Sequence, residues 1–257
     1  MDAARDNCII LLVDAPVPES VDPGLTGTFG AERAVHIHLD LLQNAYRLVK
    51  NFGNAIRILA YEKSPRHPDL TWLDADDPGF LDTKGKRPDK GIADVFRLAF
   101  NTGAKKVLLL SHLSPGIKAD WLQQAFDSIT ERTVALGPNT NGSVYLVGLA
   151  VAHLKLLEGS VFTSVKAAEE FSDKARKAKL TVSMLPEACA VESEETLRAW
   201  LEAKDPAQPL FAKEPPAVHP AAPQAVRQHH EGIKHARRGT KHASPQPPLP
   251  GTQEPPL

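Results

Sequence analysis

Asp14, His112 and Glu192 are the side chains of this sequence whose types fit acid–base work or the holding of a metal ion. Each sits at the end of an apolar run or in the loop beyond it, so a parallel sheet would carry all three to one edge. Their spacing selects no particular metal, and polar residues in loops are ordinarily solvated or bonded to backbone. His36 and His38, two residues apart on a helical stretch, point to different faces and make no metal pair. Lys84, Lys86, Arg87 and Lys90 form a cationic cluster that reads either as a solvated loop or as a set of phosphate contacts. Gly24 to Gly30 is rich in glycine but matches no phosphate-loop spacing. Cys8 and Cys189 lie in apolar surroundings without zinc-ligand spacing, and both read as buried reduced thiols.

The elements that position these residues follow from periodicity. Cys8 to Val13 is a continuous apolar run with β-branched residues, the pattern of a buried strand. It ends in Asp14-Ala-Pro-Val-Pro, and the prolines predict an extended loop to Gly24. Val35, Leu39, Leu42, Tyr46 and Val49 recur at helical spacing, and Ala55 to Tyr61 alternates as a second strand. Glu62 to Lys90 is a polar excursion with one short strand expected at Leu70 to Leu73. Ile92, Val95, Phe96 and Ala99 make the next helical stripe.

Lys105 to Leu149 holds the strongest pattern. An apolar run breaks at Ser111-His-Leu-Ser-Pro-Gly116, an amphipathic helix follows, and a second apolar run extends from Val134 to Leu149, as in a βαβ unit. A helix to Leu157, a charged helix from Ser164 to Ala178, a strand from Leu180 to Met184 and a last helix capped by Ser193 complete the order. Strands alternating with helices predict one three-layer α/β domain over residues 1–204, Rossmann-like, with a mostly parallel sheet.

The chain has 257 residues, 42% of them hydrophobic, which is enough for a sizeable core. A net charge of -1 supplies no global attraction for nucleic acid or anionic lipid. No run has the length of a membrane span, and the first residues lack the pattern of a secretory signal, so a cytoplasmic location is expected. Residues 205–257 hold about half of the prolines and little periodic apolar pattern, and read as a disordered tail. Its basic run from Arg227 to His242 and its Ser244-to-Pro250 segment could dock an acidic surface or an aromatic groove of a protein partner.

From residue 8 to residue 201 the succession of pieces resembles a family of bacterial GT-A-fold glycosyltransferases related to the guanylyltransferases of molybdenum-cofactor and coenzyme F420 assembly. Cys8 to Pro18 looks like the family's first strand and its Ala-Pro-Val-Pro turn. Ala135-Leu-Gly-Pro138 and Gly142 to Leu149 look like its Leu-Gly-Pro and Gly-Gly-Tyr-Tyr-Leu-Ile-Gly-Leu segments. The resemblance implies a GT-A-like fold, a nucleotide-sugar or nucleoside triphosphate donor, and Mg²⁺ or Mn²⁺ as cofactor. It also implies that Ala15, Pro16, Gly137, Pro138, Asn141 and Gly142 contact the substrate.

Moving a diphosphate requires cations or backbone donors and usually a divalent metal. Here the chain departs from the pattern the resemblance carries. Asp14 stands for a Lys, and Asp22-Pro23-Gly24-Leu25 stands for Lys-Thr-Arg-Leu. Leu113 replaces the metal-binding Asp of Gly-Ser-Asp-Cys-Pro-Gly, and a leucine offers no oxygen to a hard cation. Thr140-Asn141-Gly142-Ser143 replaces Glu-Asp-Gly-Gly, and of a late Asp-Val-Asp only Glu192 keeps a carboxylate. One expectation is therefore a catalytically impaired GT-A-like protein that binds or scaffolds. The other is an active glycosyl- or nucleotidyltransferase whose remodelled site, metal-independent in the simplest case, draws cations from the Lys84–Lys90 loop.

Overall fold

The computed structural model describes residues 6–76, 79–84 and 91–203. Among these residues seven strands form one sheet: β1 (Asn7–Val13), β2 (Ile56–Tyr61), β3 (Leu81–Asp82), β4 (Lys106–Leu110), β5 (Thr133–Pro138), β6 (Val144–Ala150) and β7 (Thr181–Met184). Their order is β3-β2-β1-β4-β6-β5-β7. Only β6 runs against its neighbours β4 and β5, so the sheet is mostly parallel, as the periodicity predicts.

Among the described residues six α-helices flank or cap it: α1 (Pro23–Phe29), α2 (Ala31–Asn51), α3 (Ile92–Asn101), α4 (Ala119–Ser128), α5 (Ala167–Lys177) and α6 (Glu194–Ala203). The alternation of β1 builds the three layers. Ile9, Leu11 and Val13 face Leu42, Tyr46 and Val49 of α2 and Leu122 and Phe126 of α4. Cys8 and Ile10 face Val95, Phe96 and Ala99 of α3 and Phe171 of α5. Both faces are apolar because both are covered. A third cluster joins Leu25 of α1, Ile37 and Leu41 of α2, and Leu197 of α6 at the carboxyl edge of the sheet.

Several expectations need correction. Leu70 to Leu73 is a turn held by Leu73 N–H to Leu70 O at 2.9 Å, and Leu81–Asp82 is the short strand of that excursion. The second apolar run is two strands, because Asn139 to Ser143 turns the chain back and inserts β6 between β4 and β5. The segment to Leu157 is 3-10 rather than α-helical. Pro23 to Phe29 is a helix rather than loop, started by Asp22, whose carboxylate accepts from Gly24 N–H at 2.8 Å. Cys8 is buried, with its thiol pushed up to about 12 by desolvation, whereas Cys189 is exposed. The tail from residue 205, and Lys86, Arg87 and Lys90, lie outside the described residues. Among those described, no helix is long and apolar enough to cross a membrane.

Gly137 of β5 lies under the ring of Tyr145, where an added Cβ would fall on ring atoms. The Tyr145 hydroxyl donates to Pro186 O at 2.8 Å, so the ring cannot lift without losing that bond. Gly137→Ala should therefore cost about 1–3 kcal/mol through overpacking, read as a lower urea midpoint at unchanged slope; an unchanged midpoint would show that the ring yields freely.

Candidate functional site

The strand order places the switch point between β1 and β4, whose carboxyl ends open into a crevice. A cavity of 630 Å³ occupies it. Asp14 enters from the end of β1, Ser111 to Leu113 from the end of β4, and Val144 to Val147 from β6. Val21 to Pro23, His38 of α2, the start of α3 and residues 158–163 close the remaining sides. Its charged lining residues, among those described, are Asp14, Asp22 and Glu158, with no Lys or Arg.

His112 and His38 meet at the floor. His112 Nε2 lies 3.3 Å from His38 Nδ1, and His38 Nε2 lies 3.5 Å from Asp14 O. The rings cross edge-on, with centroids 4.7 Å apart. Burial holds the His38 pKa down at about 4, the Asp14 carbonyl opposing only in part. Burial, then the neighbouring His38, drives His112 well below the ordinary histidine value. Both rings are thus neutral at pH 7.

The loop after β4 is tied down on every side. Ser111 Oγ accepts from Leu113 N–H at 3.2 Å, and Asn44 of α2 donates to Pro115 O at 3.0 Å. Ser114 Oγ donates to Asn139 Oδ1 at 2.8 Å, and Asn139 Nδ2 donates to Ser143 Oγ at 2.9 Å, all three residues being buried. Leu113 O accepts from Val191 N–H at 2.8 Å, and the Leu113 side chain packs against the apolar cluster of α1, α2 and α6.

Glu192 does not join Asp14 and His112. It lines no part of the cavity and accepts from Asn141 Nδ2 at 2.7 Å. Desolvation raises its pKa, the Asn141 bond lowers it and the Asp22 charge raises it. The three candidates therefore form no single cluster, and among the described residues no three His, Cys, Asp or Glu side chains are placed to hold a metal. The donor set does not fit the hard divalent cation that the resemblance implies: Leu113 and Asn141 bring no carboxylate, and Glu192 is engaged by an amide.

Ala15 and Pro16 lie half-buried beside the cavity, Ala15 lining a smaller one of 460 Å³ between the loops after β1 and β2. Lys63 and Arg66 face Asp14, Glu19 and Glu62 there. Pro138 is buried in β5, and Gly142 has φ 87° where a Cβ would strike Val165 O, so backbone geometry explains these residues. Gly24 likewise abuts Glu192 O, 2.6 Å from where its Cβ would be. No side chain, and so no arginine, fits there without a backbone shift. His38, Ser114 and Asn139 are the site residues that periodicity misses. His38 reads as one more polar position on a helix, and its partner is 74 residues away.

Residues 45–166 match the family described as "Uncharacterized protein conserved in bacteria" (DUF2064). No curated protein matches the sequence. Among solved structures the chain is similar to a protein from Desulfovibrio desulfuricans provisionally named a nucleotide-diphospho-sugar transferase. The two share 20% identity at a TM-score of 0.67, over 79% of this chain and 89% of the other. A nucleotidyl transferase from Methanothermobacter thermautotrophicus is similar at 11% identity and a TM-score of 0.50, over 77% of this chain and 99% of that one. Likeness at these identities concerns the fold, and the fold is that of the GT-A-like nucleotide-sugar and nucleotidyl transferases.

Two pH dependences follow from the site. A folded-state His38 pKa below the unfolded value means that the unfolded chain takes up a proton the folded one refuses. Stability contributed by neutral His38 is complete above pH 6.5 and falls toward about 4, by roughly 3 kcal/mol. Urea unfolding between pH 7.5 and 4 should show this loss, and His38→Gln should reduce it to the part that His112, depressed in the same direction, contributes; an equal slope in the variant would place the titration elsewhere. Glu192 has the opposite sign, since its raised pKa makes the charged form a cost above its titration. Glu192→Gln should raise the melting temperature at pH 7, with the gain vanishing as pH falls below 4.5. A melting temperature lowered at pH 7 would mean that the charge is held favourably.

Proposed function

On a chain with the fold of the GT-A-like nucleotide-diphospho-sugar transferases, we propose a binding protein in which metal-assisted transfer from a nucleotide donor has been lost. The observation that carries this reading is the charge of the cavity wall. Where a diphosphate needs cations, the described lining offers Asp14, Asp22 and Glu158. Two further features support it. The Gly24 amide at the start of α1 is served by the carboxylate of Asp22, and Gly24, the position of the arginine in the resembling family, abuts Glu192 O. Leu113 is packed into an apolar cluster, so restoring an acid there would bury a charge among Leu25, Ile37 and Leu197.

The basic and proline-rich tail is, on this reading, the contact for a protein partner with an acidic surface or an aromatic groove. Competing with it is transfer assisted by Lys84, Lys86, Arg87 and Lys90. Lys84 is exposed at φ 55°, and the backbone re-enters the structure at Gly91, next to the cavity-lining Ile92.

Titration of the full chain with UDP, GDP, UTP and GTP, with and without Mg²⁺ or Mn²⁺, separates the two. Unchanged melting temperatures are expected throughout. A metal-dependent rise of several degrees with any nucleotide would overturn the proposal, because a ligand of the native state must stabilise it. Loss of such a rise on replacing the four cations by Ala would assign the nucleotide to that loop.

A further inference from the structure

The proton arrangement of the imidazole pair defines what the cavity can accept. Asp14 O is a carbonyl and can only accept, so His38 Nε2 carries its ring proton. In a neutral ring His38 Nδ1 is then a lone pair, and His112 Nε2, 3.3 Å away, must be the N–H that donates to it. His112 Nδ1 is left as an acceptor. His112 lines the cavity, and among the described residues the one sealed-in side-chain nitrogen or oxygen without a partner is Trp72 Nε1. The His112 lone pair is therefore not shut away inside the protein but open to the cavity.

We propose that this cavity binds an uncharged small molecule with an apolar body and one O–H or N–H group, which donates to Nδ1 of His112. The inference rests on the preceding reading, that the site does not take a diphosphate, and names what it takes instead. Leu12, Leu146, Val161 and Phe162 supply apolar wall, and 630 Å³ is the size of an ordinary small-molecule site. Carboxylates of Asp22 and Glu158 disfavour an anion in the same volume, and the burial that keeps both imidazoles neutral disfavours a cation beside them. A buried neutral imidazole fixed by a second imidazole is a directional acceptor whose orientation costs nothing further when the ligand arrives.

Four probes that share one ring test this on the full chain by calorimetry: 1-naphthol, naphthalene, 1-naphthyl phosphate and 1-naphthylmethylammonium. Saturable binding of 1-naphthol is expected, with naphthalene weaker by about fivefold for the missing hydrogen bond and the phosphate not binding. Val161→Trp, at a rim residue 60% exposed, should abolish naphthol binding with the fold intact. On ¹⁵N-histidine-labelled protein, His112 should be the Nε2–H tautomer, and naphthol but not naphthalene should move its Nδ1 resonance. Equal affinity of naphthol and naphthalene, no binding of naphthol, tighter binding of the phosphate or the ammonium, or an Nδ1–H tautomer at His112 would each overturn the proposal. Stabilisation by nucleotide would instead sink the reading beneath it, whereas failure of naphthol without nucleotide binding sinks this inference alone.

Discussion

The contact between two neutral imidazoles, His38 from α2 and His112 from the loop after β4, is the constraint around which the carboxyl edge is arranged. Two buried rings whose nitrogens lie 3.3 Å apart cannot both be charged, and burial keeps each of them neutral at pH 7 with one N–H apiece. That requirement disfavours a charge at the floor of the crevice. It also pins the loop to α2 at a second point beside the Asn44–Pro115 bond. With both ends so held, Leu113 turns away toward the cluster of α1, α2 and α6, and its carbonyl closes onto Val191. The loop that would present an acid to a metal in the resembling family is here a rigid, apolar-backed strap.

At the same edge, charged and polar side chains bond to one another or to backbone. Asp22 serves as an N-cap, Glu192 is bridged to Asn141, and Asn141 Oδ1 accepts from Ser143 N–H and Oγ at 3.0 and 2.7 Å. Polar groups that would otherwise point at a ligand are satisfied by one another. A ligand that bonded to this network would have to displace those hydrogen bonds.

The layers were legible because burial on both faces leaves a periodic record. Ile9, Leu11 and Val13 alternate with Cys8 and Ile10, and the α2 and α3 stripes repeat at helical spacing. The site was legible in part. Asp14, His112 and Glu192 were placed at the carboxyl edge by strand ends alone, but periodicity does not say which side of a loop a residue faces, and Glu192 turns to Asn141 outside the cavity. His38 was missed for the converse reason: a buried histidine in a helix is recognised only by what it touches, and His112 is distant in sequence. The turn at Leu70 to Leu73 resembles a strand because Leu70 and Leu73 are both core residues, and burial alone does not distinguish the two conformations.

The glycines show how much of the resembling pattern the scaffold itself requires. The resemblance implies that Gly137 and Gly142 touch a substrate, yet each is demanded by the scaffold itself: Gly137 by the Tyr145 ring, and Gly142 by its positive φ against Val165 O. Substituting either disturbs β5 or the turn before β6 whether or not any ligand is bound. Leu113, in contrast, adds an apolar side chain to an apolar cluster. A leucine there strengthens packing, where a carboxylate without its metal would be a buried, unpaired charge. Folding free energy alone therefore favours the leucine and the two glycines at these positions.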